Sequence, residues 1–231
     1  MIQHPLAALY TRLYDHYGPQ HWWPADTPFE IVVGAVLTQA TAWRNVERAI
    51  ARLKERGLLE PSAMQQASVA DLEDAIRPAG YFRAKARTLR GVLKLIEDRY
   101  GGSLDRMLQA PGPMLREQLL GVRGIGPETA DAILLYAAGH PVFVVDAYTV
   151  RIVSRAGLVP AGELSYERLQ DAFQRQLPRD PGLYGEYHAL LVALGKDCCR
   201  KQNPRCRACP AVDMCAFGRQ TAAALSLAAR N

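Results

Sequence analysis

The chain has 231 residues, 49% hydrophobic and 22% charged, the balance of a soluble globular protein with one large core or two small ones. No apolar run reaches the roughly 20 residues of a membrane span, and the stretch 132–145 is broken by Gly139, His140 and Pro141. The net charge of +5 is concentrated: from Lys196 onward there are seven Lys/Arg against two Asp/Glu, and the first 195 residues balance.

The N-terminus, MIQHPLAALYTRLYDHYG, lacks a basic segment followed by an apolar one, so no secretion signal is expected and the cytoplasm is the predicted location. Apolar residues then recur at three- and four-residue intervals over 6–17, 29–37, 46–53, 86–96, 114–120 and 130–138, which predicts helices. The tryptophans, Trp22, Trp23 and Trp43, lie within the first 43 residues, where core packing is their plainest role. Thr27-Pro28-Phe29-Glu30 reads as a capping box with proline at the first helical position. Arg77-Pro78-Ala79-Gly80 and Gly101-Gly102-Ser103 are turn signals.

Residues 119–130, LLGVRGIGPETA, predict a helix end, a tight turn containing Gly124 and Gly126, and a second helix opened by Pro127. Such a helix-hairpin-helix grips a nucleic-acid backbone through outward amides at the new helix N-terminus. An ordinary glycine turn between helices has the same G-x-G signature. The one strand-like run, 142–145, is too short to found a sheet, so the predicted fold class is all-α. Asp146 follows it and precedes a helical stretch over 147–153. An N-cap is its simplest role, and a carboxylate there can also face a cleft and work chemically.

Near the C-terminus Cys199, Cys206, Cys209 and Cys215 are spaced C-x6-C-x2-C-x5-C. Only one CxxC pair is present, whereas tetrahedral zinc sites usually use two. All-thiolate ligation from one short loop fits a 4Fe-4S cluster better than zinc. Cys198 reads as a spare buried thiol, and thiols holding metal suit a reducing compartment. The loop also carries Arg200, Lys201, Arg205 and Arg207, either a phosphate-facing surface or solvated charges.

Hairpin, downstream aspartate and cysteine loop together resemble the endonuclease III superfamily of helix-hairpin-helix DNA glycosylases, over nearly the whole chain, from Phe29 to Phe217. The resemblance implies two all-α lobes with damaged duplex DNA bound across their cleft, one lobe spanning 28–140 with the hairpin and the other joining 1–27 to 141–231. It implies Asp146, in VVDAYT, as catalytic residue. Gln39, in LTQAT, corresponds to the glutamine that fills the gap left by a flipped base, and Tyr81, in GYFRAKA, to an intercalating wedge. Lys85 is expected to approach the DNA backbone, together with Arg123, Gly124, Ile125 and Gly126 of the hairpin. The four spaced cysteines would hold a 4Fe-4S cluster, and the protein would act as a monomer.

Bifunctional members of the superfamily carry a lysine where this chain has Glu128, eighteen residues before Asp146. A carboxylate cannot form a Schiff base with the sugar, so weak or absent lyase activity is expected. His21-Trp22-Trp23-Pro24 followed by FEIVVGAVLTQ resembles the 3-methyladenine DNA glycosylase III branch, which also has glutamate at that position. That likeness implies a base pocket of Trp22, Trp23, Trp43, Glu128 and Lys196. The cluster cysteines depart from the branch's best-known type. The expected activity is monofunctional removal of alkylated purines, with oxidised pyrimidines or mismatched bases, or a non-catalytic damage-binding module, as alternatives. Only sixteen residues follow Cys215, too few for an additional lesion-recognition domain of the mismatch adenine glycosylase kind.

Overall fold

The computed structural model describes residues 4–221, and among them every regular element is helical, as the periodicity predicts. The described residues fall into two compact units: those up to Trp22 with those from Pro141 on, and Trp23–His140. Among the described residues no helix is long and apolar enough to cross a membrane.

The first unit begins with α1 (Pro5–Tyr17), started by Pro5 and buried along Leu6, Leu9 and Leu13. The second unit follows. It holds α2 (Pro28–Leu37), α3 (Trp43–Glu55), α4 (Pro61–Gln66) and α5 (Val69–Ala75). After a 3-10 turn at Arg77–Ala79 come α6 (Phe82–Tyr100), α7 (Leu104–Leu108), α8 (Gly112–Leu120) and α9 (Pro127–Ala132). A π-helical turn, Ile133–Ala137, extends α9. The core of this unit draws Phe29, Val33, Leu37, Val46, Leu53, Leu72, Ile76, Leu89 and Leu93 from α2, α3, α5 and α6 and the residue after α5.

The capping box closes in a shifted form. Thr27 Oγ1 accepts from Glu30 N at 3.1 Å, but the Glu30 carboxylate accepts from Asp26 N at 3.0 Å instead of the cap residue's own amide. Lys54 Nζ then bridges Glu30 and Asp26 at 2.9 and 2.6 Å, tying the start of α2 to α3.

The chain re-enters the first unit for α10 (Ala147–Ala156), α11 (Tyr166–Gln176) and α12 (Pro181–Asp197). Phe143 and Phe173 stack at 4.0 Å, with Tyr187 edge-on to both. The Tyr187 hydroxyl donates to Leu6 O at 2.8 Å, joining α12 to α1. Residues 142–145 form no strand: Gln174 accepts from Phe143 N at 3.1 Å and Gln170 donates to Phe143 O at 2.7 Å. Two side chains of α11 therefore satisfy the backbone that a neighbouring strand would have paired.

Candidate active site and cysteine loop

Asp146 takes an extended backbone at the N-cap of α10. Its Oδ1 accepts from Thr149 N at 2.7 Å and from Thr149 Oγ1 at 2.8 Å. Its Oδ2 stands 3.5 Å from His188 Nε2, on α12. Burial is the largest single influence on this carboxyl and would raise its pKa. The His188 contact and the two Thr149 bonds together outweigh it, and the net displacement is downward from 3.8. The group is thus a largely enclosed, ionised carboxylate, 11% exposed, held on two sides. No local sequence pattern marks His188. It lies in a helix that is apolar nearly all round, so no periodicity marked it.

α10 also organises the cysteine loop. Arg151 Nε donates to Cys199 O at 2.8 Å, and its guanidinium lies 4.9 Å over the Tyr148 ring. One turn on, Arg155 donates to Arg200 O at 2.7 Å and Lys201 O at 3.1 Å, and its Nη1 is 3.5 Å from Cys199 Sγ. One helix thus carries Asp146 at its start and the loop's braces along its length.

Cys199, Cys206, Cys209 and Cys215 are all half-buried and line one recess with Pro204, Val212 and Phe217. Its empty volume is about 290 Å³. Among the described residues no three His, Cys, Asp or Glu side chains converge as a site for one metal ion. The recess is also lined by Arg155, and its thiols are the donor type that a 4Fe-4S cluster takes. Burial pushes the Cys209 thiol up to about 11 and the Cys206 thiol above its ordinary value. Cys198 is buried, lines the same recess and donates to Asp197 Oδ2 at 3.3 Å. The loop's cations, Arg200, Lys201, Arg205 and Arg207, are all exposed, and Arg200 and Arg205 donate to Asp197 O and Oδ1 at 3.0 and 2.9 Å.

In the second unit the hairpin joins α8 to α9. Gly124 lies at φ +95°, and a Cβ there would stand 2.2 Å from Thr88 Oγ1, so glycine is required twice over. Arg123, Gly124 and Gly126 are exposed. Ile125 is not: its side chain is 6% exposed and its N–H donates to Val122 O at 3.0 Å. This corrects the expectation for Ile125, which closes and anchors the turn because an apolar side chain at the tip packs inward. Below the hairpin Arg116 forks onto fully buried Asp131 at 2.6 and 3.1 Å, fastening α8 to α9.

Gln39 follows α2, and its Nε2 donates to Gly124 O at 3.0 Å and Thr129 Oγ1 at 2.8 Å. Tyr81 is 74% exposed at φ 45°, an unusual backbone for a non-glycine residue, just before α6. Lys85 departs from expectation. It is 3% exposed, and its ammonium donates to Leu37 O and Ala79 O at 2.8 Å each. Burial lowers its pKa to about 8. This corrects the expectation that it reaches a DNA backbone, because the side chain turns inward to two carbonyls at helix ends.

The aromatics divide between the units. Trp23 packs edge-on to Trp43 at 5.4 Å, tilted to Tyr136 at 5.2 Å, and over Gly34. Beside this pair is a recess with an empty volume of about 260 Å³, lined also by Pro24, Glu30, Val46, Glu47 and Ile50. Trp22 belongs to the first unit, where Lys196 Nζ lies 5.7 Å from its ring centroid. Glu128 is exposed in the first turn of α9.

The sequence profile of the HhH-GPD superfamily of base excision DNA repair proteins matches residues 33–179. A protein of Methanocaldococcus jannaschii named as a DNA repair glycosylase is 44% identical over 208 residues, 90% of this chain and 94% of the relative. Endonuclease III of Thermotoga maritima is 31% identical over 193 residues, 84% of each chain. Among solved structures, an endonuclease III–DNA complex superimposes with a TM-score of 0.81 at 22% identity, covering 96% of this chain and 98% of the other. The H. pylori 3-methyladenine DNA glycosylase MagIII bound to 1,N6-ethenoadenine gives a TM-score of 0.72 at 29% identity, covering 83% and 95%.

Proposed function

This chain belongs to the HhH-GPD superfamily of base excision DNA repair proteins, and on that premise we propose that it is a monofunctional glycosylase removing alkylated purines from duplex DNA. The observation that carries the substrate class is the paired tryptophans, Trp23 against Trp43, beside a recess also lined by the carboxylates of Glu30 and Glu47. Methylation at a ring nitrogen makes a purine cationic, and tryptophan faces attract cations more strongly than other aromatic side chains. The 3-methyladenine glycosylase among the structural relatives supports the same class.

Alkylation already makes the base a good leaving group, so the enzyme needs little acid catalysis. It needs a negative group where the sugar becomes positive, and Asp146 is ionised and fixed for that role. Oδ2, which faces His188, is the oxygen not engaged by Thr149 and would be the one turned to a sugar and an attacking water. Extruding the base costs a few kcal/mol, less for a damaged one, and Gln39 and Tyr81 would fill the vacated stack. Arg123, Gly124 and Gly126 would meet the phosphates. Glu128 supplies no amine, so the product is an abasic site and borohydride traps no covalent complex. Cys199, Cys206, Cys209 and Cys215 would hold a 4Fe-4S cluster, whose service here is to fix the loop that Arg151 and Arg155 brace.

The test is base release from methylated duplex DNA, resolved by chromatography, with wild type beside Asp146→Asn. Methylpurines freed by wild type alone support the reading. No release by either protein, with oxidised pyrimidines or mismatched bases freed instead, would overturn the substrate class.

A further inference from the structure

Lys85 has no place in the chemistry, yet its position is unusual. A buried ammonium without a carboxylate partner is costly to maintain, and this one is held by two carbonyl oxygens. Both come from the residue two places before a side chain already assigned to DNA: Leu37 before Gln39, Ala79 before Tyr81. Leu37 ends α2 and Ala79 ends the 3-10 turn, so both carbonyls are unpaired helix ends where a cation is favoured. Each following loop contains a non-glycine residue at positive φ, Ala40 at 51° and Tyr81 at 45°. Such backbones persist only where the surroundings hold them.

One turn along the same face of α6, Thr88 bonds Arg123 O at 3.1 Å. Gln39 closes the circuit by donating to Gly124 O and Thr129 Oγ1. We propose that Lys85 is a positioning residue, a buried strap from α6 that holds the Gln39 and Tyr81 loops in register so that both side chains enter the duplex together. The proposal rests on the reading of Gln39 and Tyr81 as inserting residues.

The probe is a duplex with a tetrahydrofuran abasic analogue flanked by 2-aminopurine, whose fluorescence rises when neighbouring bases are unstacked. It does not depend on which lesion the enzyme excises. At saturating protein, Gln39→Ala and Tyr81→Ala should each lower the rise at least threefold. Lys85→Met should lower it at least fivefold while binding affinity stays within threefold, because the phosphate contacts remain. Lys85→Gln, which keeps an uncharged NH2 donor on a shorter side chain, should fall between and serves as the variant if Lys85→Met does not fold. If the Gln39 and Tyr81 variants lose the signal but the Lys85 variants keep it, even with a lowered melting temperature, Lys85 is structural only and the strap is wrong. If neither the Gln39 nor the Tyr81 variant changes the signal, the insertion reading fails and the strap fails with it.

Discussion

One carboxylate oxygen of Asp146 caps α10 and the other faces His188, so its two roles can be separated by mutation. Asparagine caps a helix about as well as aspartate. Asp146→Asn should therefore change folding stability by less than about 1 kcal/mol while slowing single-turnover excision by about 10²- to 10³-fold. Parallel losses in melting temperature and rate would make Asp146 a cap and nothing more. Lys85 makes a second prediction at this scale. Its folded pKa of about 8 lies below its ordinary 10.5, so the unfolded chain binds more protons between those values. The Lys85 contribution is complete above about 10.5 and is lost as pH falls through about 8. Wild type should gain stability relative to Lys85→Met between pH 7.5 and 9.5, read as the difference in urea midpoints. A constant difference would show that the lysine is not depressed by burial.

The hairpin is a contact between elements as much as a turn. Gly124→Ala would place a methyl against Thr88 Oγ1 and force an alanine into φ +95°. We expect it to cost about 1–3 kcal/mol and to weaken duplex binding. Thr88→Ala in the same chain should recover only part of the loss, because the hydroxyl clash goes and the backbone strain stays. Full recovery would show that the positive φ carries no cost. Elements with a strong apolar period and a visible start were legible: α1, α2, α3, α6, α8 and α10 lie where spacing, prolines and Asp146 put them. α4, α5 and α7 are too short to show a period. α11 does carry a stripe, Tyr166, Leu169 and Phe173, that the apolar runs taken as helices leave out, whereas α12 is apolar on most sides and shows none.

For the molecule as a whole, charge and cluster set the expectations. The excess of positive charge from Lys196 onward includes four exposed loop cations, of which Arg200 and Arg205 each donate to Asp197, so Lys201 and Arg207 are the ones to test against phosphates. Binding of undamaged duplex should weaken with salt by a log–log slope of about 0.9 per neutralised phosphate. Replacing Lys201 and Arg207 by glutamine should lower that slope by up to about 2. An unchanged slope would leave them as solvated charges. Cys206→Ala should abolish the brown absorbance and cut the yield of soluble protein, because the loop's backbone carbonyls are gathered by Arg151 and Arg155 around those thiols. An unchanged visible spectrum would show that these thiols hold no cluster.

The amino-acid order by itself determined what depends on near neighbours. The proline starts, the glycine hairpin, the cap at Asp146 and the cysteine spacing are local rules of backbone geometry and donor set, readable without a fold. Only the tertiary structure decided which way side chains turn. Lys85 went inward because two helix-end carbonyls met at its tip, and Ile125 because the hairpin closes over an apolar side chain. His188 came opposite Asp146 because α12 packs along α10. Those outcomes depend on desolvation and on partners distant in the chain, which no local pattern encodes.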